Sequence, residues 1–166
     1  MERDEILNLD DEALSRIVKL EFSRGTGNGG QKRNKTSTAV RVVLEEYGIS
    51  AVDCSERSQH RNRAAALRKL RLALALRERR RPLPPPRIRC APDSPDYPLF
   101  AARLLDALAA ANGDYRRAAA TWDISPTAFL KNFERDPALW DWLRRNYPNY
   151  ASRAAATAET EDPKEE

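Results

Sequence analysis

The chain has 166 residues, 29 Lys/Arg against 25 Asp/Glu, a net charge of +4 and 41% hydrophobic residues. That length allows one domain or two small ones. Cys54 and Cys90 are too few for a disulfide framework or a cysteine-based zinc site, and no apolar run reaches membrane-spanning length or forms a signal-peptide core, so a soluble protein of the reducing cytoplasm is expected.

In chain order, residues 1–12 are acidic and expected to be mobile, with Asp10 and Asp11 able to cap a short turn through Leu14. Val18, Leu20 and Phe22 alternate with Lys19, Glu21 and Ser23, the period of a half-buried strand. Four of the six glycines then fall between Gly25 and Gly30. Such a stretch forfeits helix and strand stability and is useful where the backbone needs φ > 0 or must come close to another molecule. It ends in the amide of Gln31, flanked by Arg24, Lys32, Arg33 and Lys35, and suits a slender probe entering a narrow anionic cavity. Asn34 to Ser37 suits a capped helical turn.

Val40, Val42 and Leu44 mark a second strand, Glu46-Tyr47-Gly48 a turn, and Ile49 to Cys54 a third strand. Ser55 or Ser58 can cap a helix running to about Arg81, with Leu67, Leu70 and Leu74 on the sheet side and Arg61, Arg68 and Lys69 opposite. The expected class is α+β, a small sheet packed with one long helix.

Residues 1–92 hold 20 Lys/Arg and 12 Asp/Glu, whereas residues 93–166 hold 9 and 13. A basic front and an acidic rear argue for two modules, nucleic acid being contacted mainly by the first. The expected organisation is an α+β module over 1–81, a Pro/Arg-rich linker over 82–97, a small all-α domain over 98–150, and a disordered acidic tail over 151–166. The arginines ahead of Pro82 and Pro84 to Pro86 fit either a solvated spacer or an arm that contacts RNA phosphates.

No Ser/His/Asp triad is evident, since His60 is the only histidine, and no metal-ligand cluster or Gly-x-Ser-x-Gly elbow occurs. If the front module hydrolyses an ester, it completes another molecule's active site by positioning.

Arg24-x-x-Gly27-x-Gly29-Gly30-Gln31-x-x-Asn34-Lys35-Thr36, followed by Glu56-Arg57-Ser58-Gln59-His60-x-Asn62-Arg63-Ala64, resembles the catalytic domain of class I peptide chain release factors over roughly residues 10 to 80. The resemblance implies hydrolysis of the peptidyl-tRNA ester in the ribosomal peptidyl-transferase centre. The backbone N–H of Gln31 would donate to the developing oxyanion and product hydroxyl, and its amide would order or exclude water. Gly29 and Gly30 would permit that backbone shape. Arg24, Lys32, Arg33, Asn34, Lys35, Arg61 and Arg68 would contact RNA, while Gly27, Ser58, Gln59, His60, Asn62 and Arg63 support the motif. The second motif reads first as a helix start whose polar groups cap and brace the domain. Lys32 departs from the His or Asn usual after the Gly-Gly-Gln and is similar to some rescue-type members; Asn28 stands where Pro or Ala is common. Methylation of Gln31 is implied by the family.

About fifteen residues precede the first strand, leaving no room for a codon-reading domain, so the codon-independent ribosome-rescue branch is expected. Its partners would be large-subunit ribosomal RNA and peptidyl-tRNA, with no cofactor, metal or membrane, acting as a monomer. The tail is acidic where that branch often carries a basic one, and a protein or RNA partner of the rear module could take over its role.

In the rear half, Phe100, Leu104, Leu105 and Leu108 form a helical stripe, Asn112-Gly113 ends it, Asp114 caps a second helix, Ser125-Pro126 opens a third through Arg135, and Pro137 opens a fourth. Ala107, Leu108, Asn112, Gly113, Ala118, Ala119, Ile124, Ser125 and Leu130 resemble a Fis-type helix-turn-helix, with Asp123 at the turn's usual glycine. The third helix would offer Thr127, Lys131, Asn132 and Arg135 to a groove. The other reading is a small helical packing module, and the rival for the whole chain is a non-catalytic RNA- or DNA-binding protein.

Overall fold

The structure, a computed structural model, describes residues 1–23, 39–87 and 89–150. The expected capped turn at Asn34 to Ser37 and the disordered tail lie outside these residues.

The chain divides into two compact units, Met1–Arg80 with Pro95–Ala102, and Arg81–Ser94 with the chain from Arg103 onward. The first is α+β. Helices α1 (Arg3–Asn8) and α2 (Asp11–Ile17) precede strand β1 (Lys19–Ser23), followed by β2 (Ala39–Leu44), β3 (Ile49–Asp53) and the long helix α3 (Gln59–Arg77). The strands form one antiparallel sheet in the order β1-β2-β3.

Val40, Val42, Leu44 and Ile49 of the sheet, together with Leu67, Leu70 and Leu74 of α3, are buried and make the core. Each such leucine contributes about 1.5–3 kcal/mol by leaving water. Arg61 and Arg68 are exposed on α3, while Leu72 and Leu76 are only partly covered; Lys69, expected opposite the sheet, instead reaches back to β3, its Nζ bonding Asp53 and the Val52 carbonyl. Between β2 and β3 a 3₁₀ turn over Glu45–Tyr47 ends at Gly48, whose φ of 60° is left-handed.

Three expectations are corrected. Residues 1–12 are not a mobile lead: α1 and α2 bury Ile6, Leu7 and Leu14. Two buried cations tie them down. Arg3 pairs with Asp4 and donates through Nη1 to the Glu78 carbonyl at 2.9 Å. Arg71 of α3 donates to Asp11 Oδ1 at 2.7 Å and to the Leu9 carbonyl at 2.8 Å. Next, α3 ends at Arg77 rather than Arg81, because Glu78 turns extended (ψ 130°) and its carbonyl serves Arg3. Finally, Phe22 lies at the end of an edge strand and is 51% exposed, so the alternating pattern loses its burial there.

The helices that follow are α4 (Tyr97–Ala110), α5 (Tyr115–Thr121), α6 (Pro126–Glu134) and α7 (Pro137–Asn146); the division between the units falls inside α4. Phe100, Leu104, Leu105 and Leu108 are all buried. In the second unit, Ala118, Ala119 and Trp122 join Phe129, Phe133, Leu139 and Leu143 in a core. Trp122 meets Phe129 edge-on, with ring centroids 5.7 Å apart. Asp114, Ser125 and Asp136 cap α5, α6 and α7 through side-chain oxygens, each accepting backbone N–H bonds of the first turn.

Candidate functional site

The site is assembled at one end of the sheet. Ser23, the last residue of β1, lies opposite Ala39, the first of β2, so residues 24–38 connect two strand ends held together by pairing. The next pair inward is Phe22 with Val40, and Val40 is in turn opposite Asp53, the last residue of β3. The glycine-rich connection and the β3–α3 loop therefore leave from the same end of the sheet.

The β3–α3 loop is fixed from both sides. Asp53 is 4% exposed, and its Oδ1 accepts from the N–H and Oγ of Ser55, at 3.0 and 2.8 Å. Its Oδ2 is 2.7 Å from Lys69 Nζ on α3. Burial alone would raise this carboxyl's pKa, but the bonds from Lys69 and Ser55 outweigh it and hold the pKa below the ordinary value. Ser58 is the N-cap of α3, its side chain accepting from the N–H of Arg61 at 3.4 Å. Ser55 is therefore not the cap; it serves Asp53 instead.

Asn62 is fully buried. Its Oδ1 accepts from Glu56 N at 2.8 Å, and its Nδ2 donates to the Glu56 carbonyl at 2.9 Å. An amide is the side chain that can offer an acceptor and a donor at once, which is why asparagine fits here. Arg63 reaches back to α2, with Nε 3.2 Å from Ser15 Oγ. Asn62 and Arg63 are thus turned inward as braces, whereas Gln59 and His60 are exposed.

Arg57, Arg61 and Arg68 are exposed cations of this region. Arg61 and Arg68 stand seven residues apart, two turns along one face of α3. Arg61 also lies 3.8 Å from Glu56 Oε2, an exposed pair of small energetic weight. Arg24, Gly27, Gly29, Gly30, Gln31, Lys32, Arg33, Asn34 and Lys35 lie outside the described residues. Sequence reasoning missed the Asp53–Lys69 pair: a lone Asp at a strand end gives no signal of its partner sixteen residues on.

The first unit is thus an α+β module, a small antiparallel sheet packed with one long helix and with a braced β3–α3 loop at the end where β1 stops and β2 starts. Residues 9–88 match the family model of the RF-1 domain, and this part of the chain belongs to that family. Over 77 residues the chain is 38% identical to peptide chain release factor 1 of Wolbachia pipientis subsp. Culex pipiens (strain wPip), covering 46% of this chain and 21% of that protein. It is 44% identical over 62 residues to peptide chain release factor 1 of Gluconobacter oxydans (strain 621H), and 39% identical over 67 residues to peptide chain release factor 2 of Helicobacter pylori (strain Shi470). These matches cover 37% and 40% of this chain and 18% of each relative. The chain thus spans about a fifth of the length of the relatives it matches. The matched domain ends before α4, so the helix-turn-helix resemblance draws nothing from it.

In the rear unit, Asp123 has φ 52°, so the turn before α6 does require the left-handed conformation for which glycine is usual. Asn132, however, is buried at 5% exposure and donates to the Ala128 carbonyl at 3.1 Å. Contrary to expectation, it is not offered to a groove; Thr127, Lys131 and Arg135 are exposed. Among the described residues no helix is long and apolar enough to cross a membrane.

Proposed function

We propose that the chain is a ribosome-dependent, codon-independent hydrolase of peptidyl-tRNA, freeing the nascent peptide from stalled ribosomes or large subunits. The observation that carries this reading is the register Phe22–Val40–Asp53, which makes the stretch containing Gly29-Gly30-Gln31 and the braced Glu56–Arg63 loop leave one end of an RF-1 domain together.

In this reading the ribosome supplies the substrate and most of the active site. The backbone N–H of Gln31 donates to the ester's developing oxyanion and then to the product hydroxyl, a preorganised donor aimed where charge appears. The Gln31 side-chain amide orders the attacking water. Gly29 and Gly30 let the backbone approach without a Cβ in the way. Arg24, Lys32, Arg33, Asn34, Lys35, Arg61 and Arg68 hold the module on ribosomal RNA. Glu56, Asn62 and Asp53 act indirectly, by keeping the sheet end in shape.

The test is release of labelled peptide from peptidyl-tRNA on ribosomes with an mRNA ending in the P site, comparing wild type with Gly30→Ala. A parallel set carries a stop codon in the A site. Release by wild type from the truncated message, lost in Gly30→Ala while ribosome binding remains, supports the reading. Release only with the stop codon removes its codon-independent part. Equal release by the variant removes the assignment to Gly29-Gly30-Gln31.

A further inference from the structure

We propose that the cleft between the α4–α5 turn and the end of α7 is a stacking site for an unpaired RNA base. It has a volume of about 640 Å³ and is lined by residues Asn112–Arg116 and Asn146–Tyr150. That size falls in the range of clefts that hold small ligands, about 300–1,000 Å³.

Three half-buried tyrosines, Tyr115, Tyr147 and Tyr150, stand around it. Tyr150 meets Tyr115 at 5.7 Å and Tyr147 at 6.3 Å between centroids, with interplanar angles of 77° and 89°. Edge-on packing sets the edge of one ring against a single face of the other, so each contact takes one face and leaves the opposite one, and a π-face is what a nucleobase stacks on. The Arg116 guanidinium lies 5.9 Å over the Tyr115 ring, adding a planar cation to the same wall. Asn112, which is exposed on the cleft wall, brings a side-chain amide that can read a base edge as donor and acceptor.

The cleft is held in shape. The Tyr150 hydroxyl donates to the Gly113 carbonyl and accepts from Tyr115 N at 3.2 Å, joining the two walls. Local charge favours a polyanion although the rear half as a whole is acidic. Residues 112–117 and 144–150 hold Arg116, Arg117, Arg144 and Arg145; of the nearby carboxylates, Asp114 caps α5 and Asp141 pairs with Arg144, which leaves the arginines in excess. Rings flanked by arginines suit single strands, whose bases are open to stacking, and not duplex, whose bases are already stacked.

The choice of RNA rests on the ribosomal reading above, but the test reads binding rather than hydrolysis, so either can fail alone. The affinity of the full chain for an end-labelled, unstructured RNA of twelve nucleotides is measured by fluorescence anisotropy, beside the same sequence as a duplex. Wild type is expected to prefer the single strand. Tyr115→Leu, which keeps apolar bulk, and Arg116→Ser should each weaken single-strand binding by about tenfold, the effect of losing one stacked base, and leave duplex binding unchanged. Tyr115→Phe, which keeps the ring, should bind as wild type. Cross-linking of a 4-thiouridine RNA to residues 112–117 or 146–150 would support the site. Unchanged affinity in both Tyr115→Leu and Arg116→Ser, or cross-links confined to residues 1–92, would overturn it. So would a peptide-release defect in Tyr115→Leu without loss of RNA affinity, which would point to a protein partner.

Discussion

Asn62, in the first turn of α3, holds Glu56 by both polar groups of its backbone, accepting from the N–H at 2.8 Å and donating to the carbonyl at 2.9 Å. The side chain is fully buried, so nothing replaces these bonds when it is removed. Asn62→Ala should cost about 2–3 kcal/mol, since two backbone groups lose their partners in a covered site. Asn62→Asp should cost at least as much, since at neutral pH it sets an unpaired carboxylate oxygen against the Glu56 carbonyl in a buried site. Urea unfolding at neutral pH measures both, and an Asn62→Ala loss within error of zero would show that water serves the loop equally well.

The Asp53 carboxyl gives the same loop a pH dependence. Its folded pKa lies below the ordinary 3.8, because the bonds from Lys69 and Ser55 overcome the opposing effect of burial. A depressed carboxyl contributes stability that is complete above its unfolded pKa and lost as pH falls through the folded one. The stability difference between wild type and Asp53→Asn should thus be constant from about pH 5 upward and shrink below 3.8. Thermal unfolding across that range checks it; a difference growing toward acid would reverse the sign and the assignment.

What could be read from the sequence, and what could not, divides along physical lines. Alternation in Val40, Val42 and Leu44 and the Leu67, Leu70, Leu74 stripe announced the sheet and its helix, because burial on one face imposes a period. Ser58 was visible as a cap because capping is local. Arg3 and Arg71 were not visible: a buried guanidinium looks like any surface arginine until its distant acceptors, the carbonyls of Glu78 and Leu9, are known. The acidic opening was misread for that reason. Nor could the side of α6 on which Asn132 falls be judged from its amide alone. At the candidate site the motifs were legible, but that Ser23, Ala39 and Asp53 share one end of the sheet needed the strand register.

Arg71 is expected to control whether α1 and α2 stay docked. Arg71→Met retains the apolar stem but strands the Leu9 carbonyl, whereas the Asp11 carboxylate, at 55% side-chain exposure, can be served by water. The expected loss is about 1–3 kcal/mol. It should be local: hydrogen exchange of amides in α1 and α2 should quicken more than that of β2. Arg71→Lys should not rescue, because an ammonium cannot reproduce the forked contact. Uniform acceleration across the unit would show that these helices are part of its cooperative core.

Two turns of the rear unit share left-handed backbone yet should respond oppositely to substitution. Gly113 has φ 83°, and a Cβ there would stand 2.5 Å from Cδ1 and Cε1 of Tyr147, so Gly113→Ala combines backbone strain with displacement of an aromatic ring. The backbone part alone is about 1–2 kcal/mol. The ring must also move, which should bring the loss above 2 kcal/mol and disturb the cleft shared with Tyr150. Asp123, at φ 52°, already bears the side-chain penalty, and its side chain is exposed. Asp123→Gly removes that penalty while loosening the unfolded chain, so the net change should lie within about 1 kcal/mol and favour the folded state. Thermal unfolding followed by far-UV circular dichroism compares the two. If Gly113→Ala proves as mild as Asp123→Gly, the Tyr147 ring does not rest on that turn in solution, and the cleft loses one of its walls.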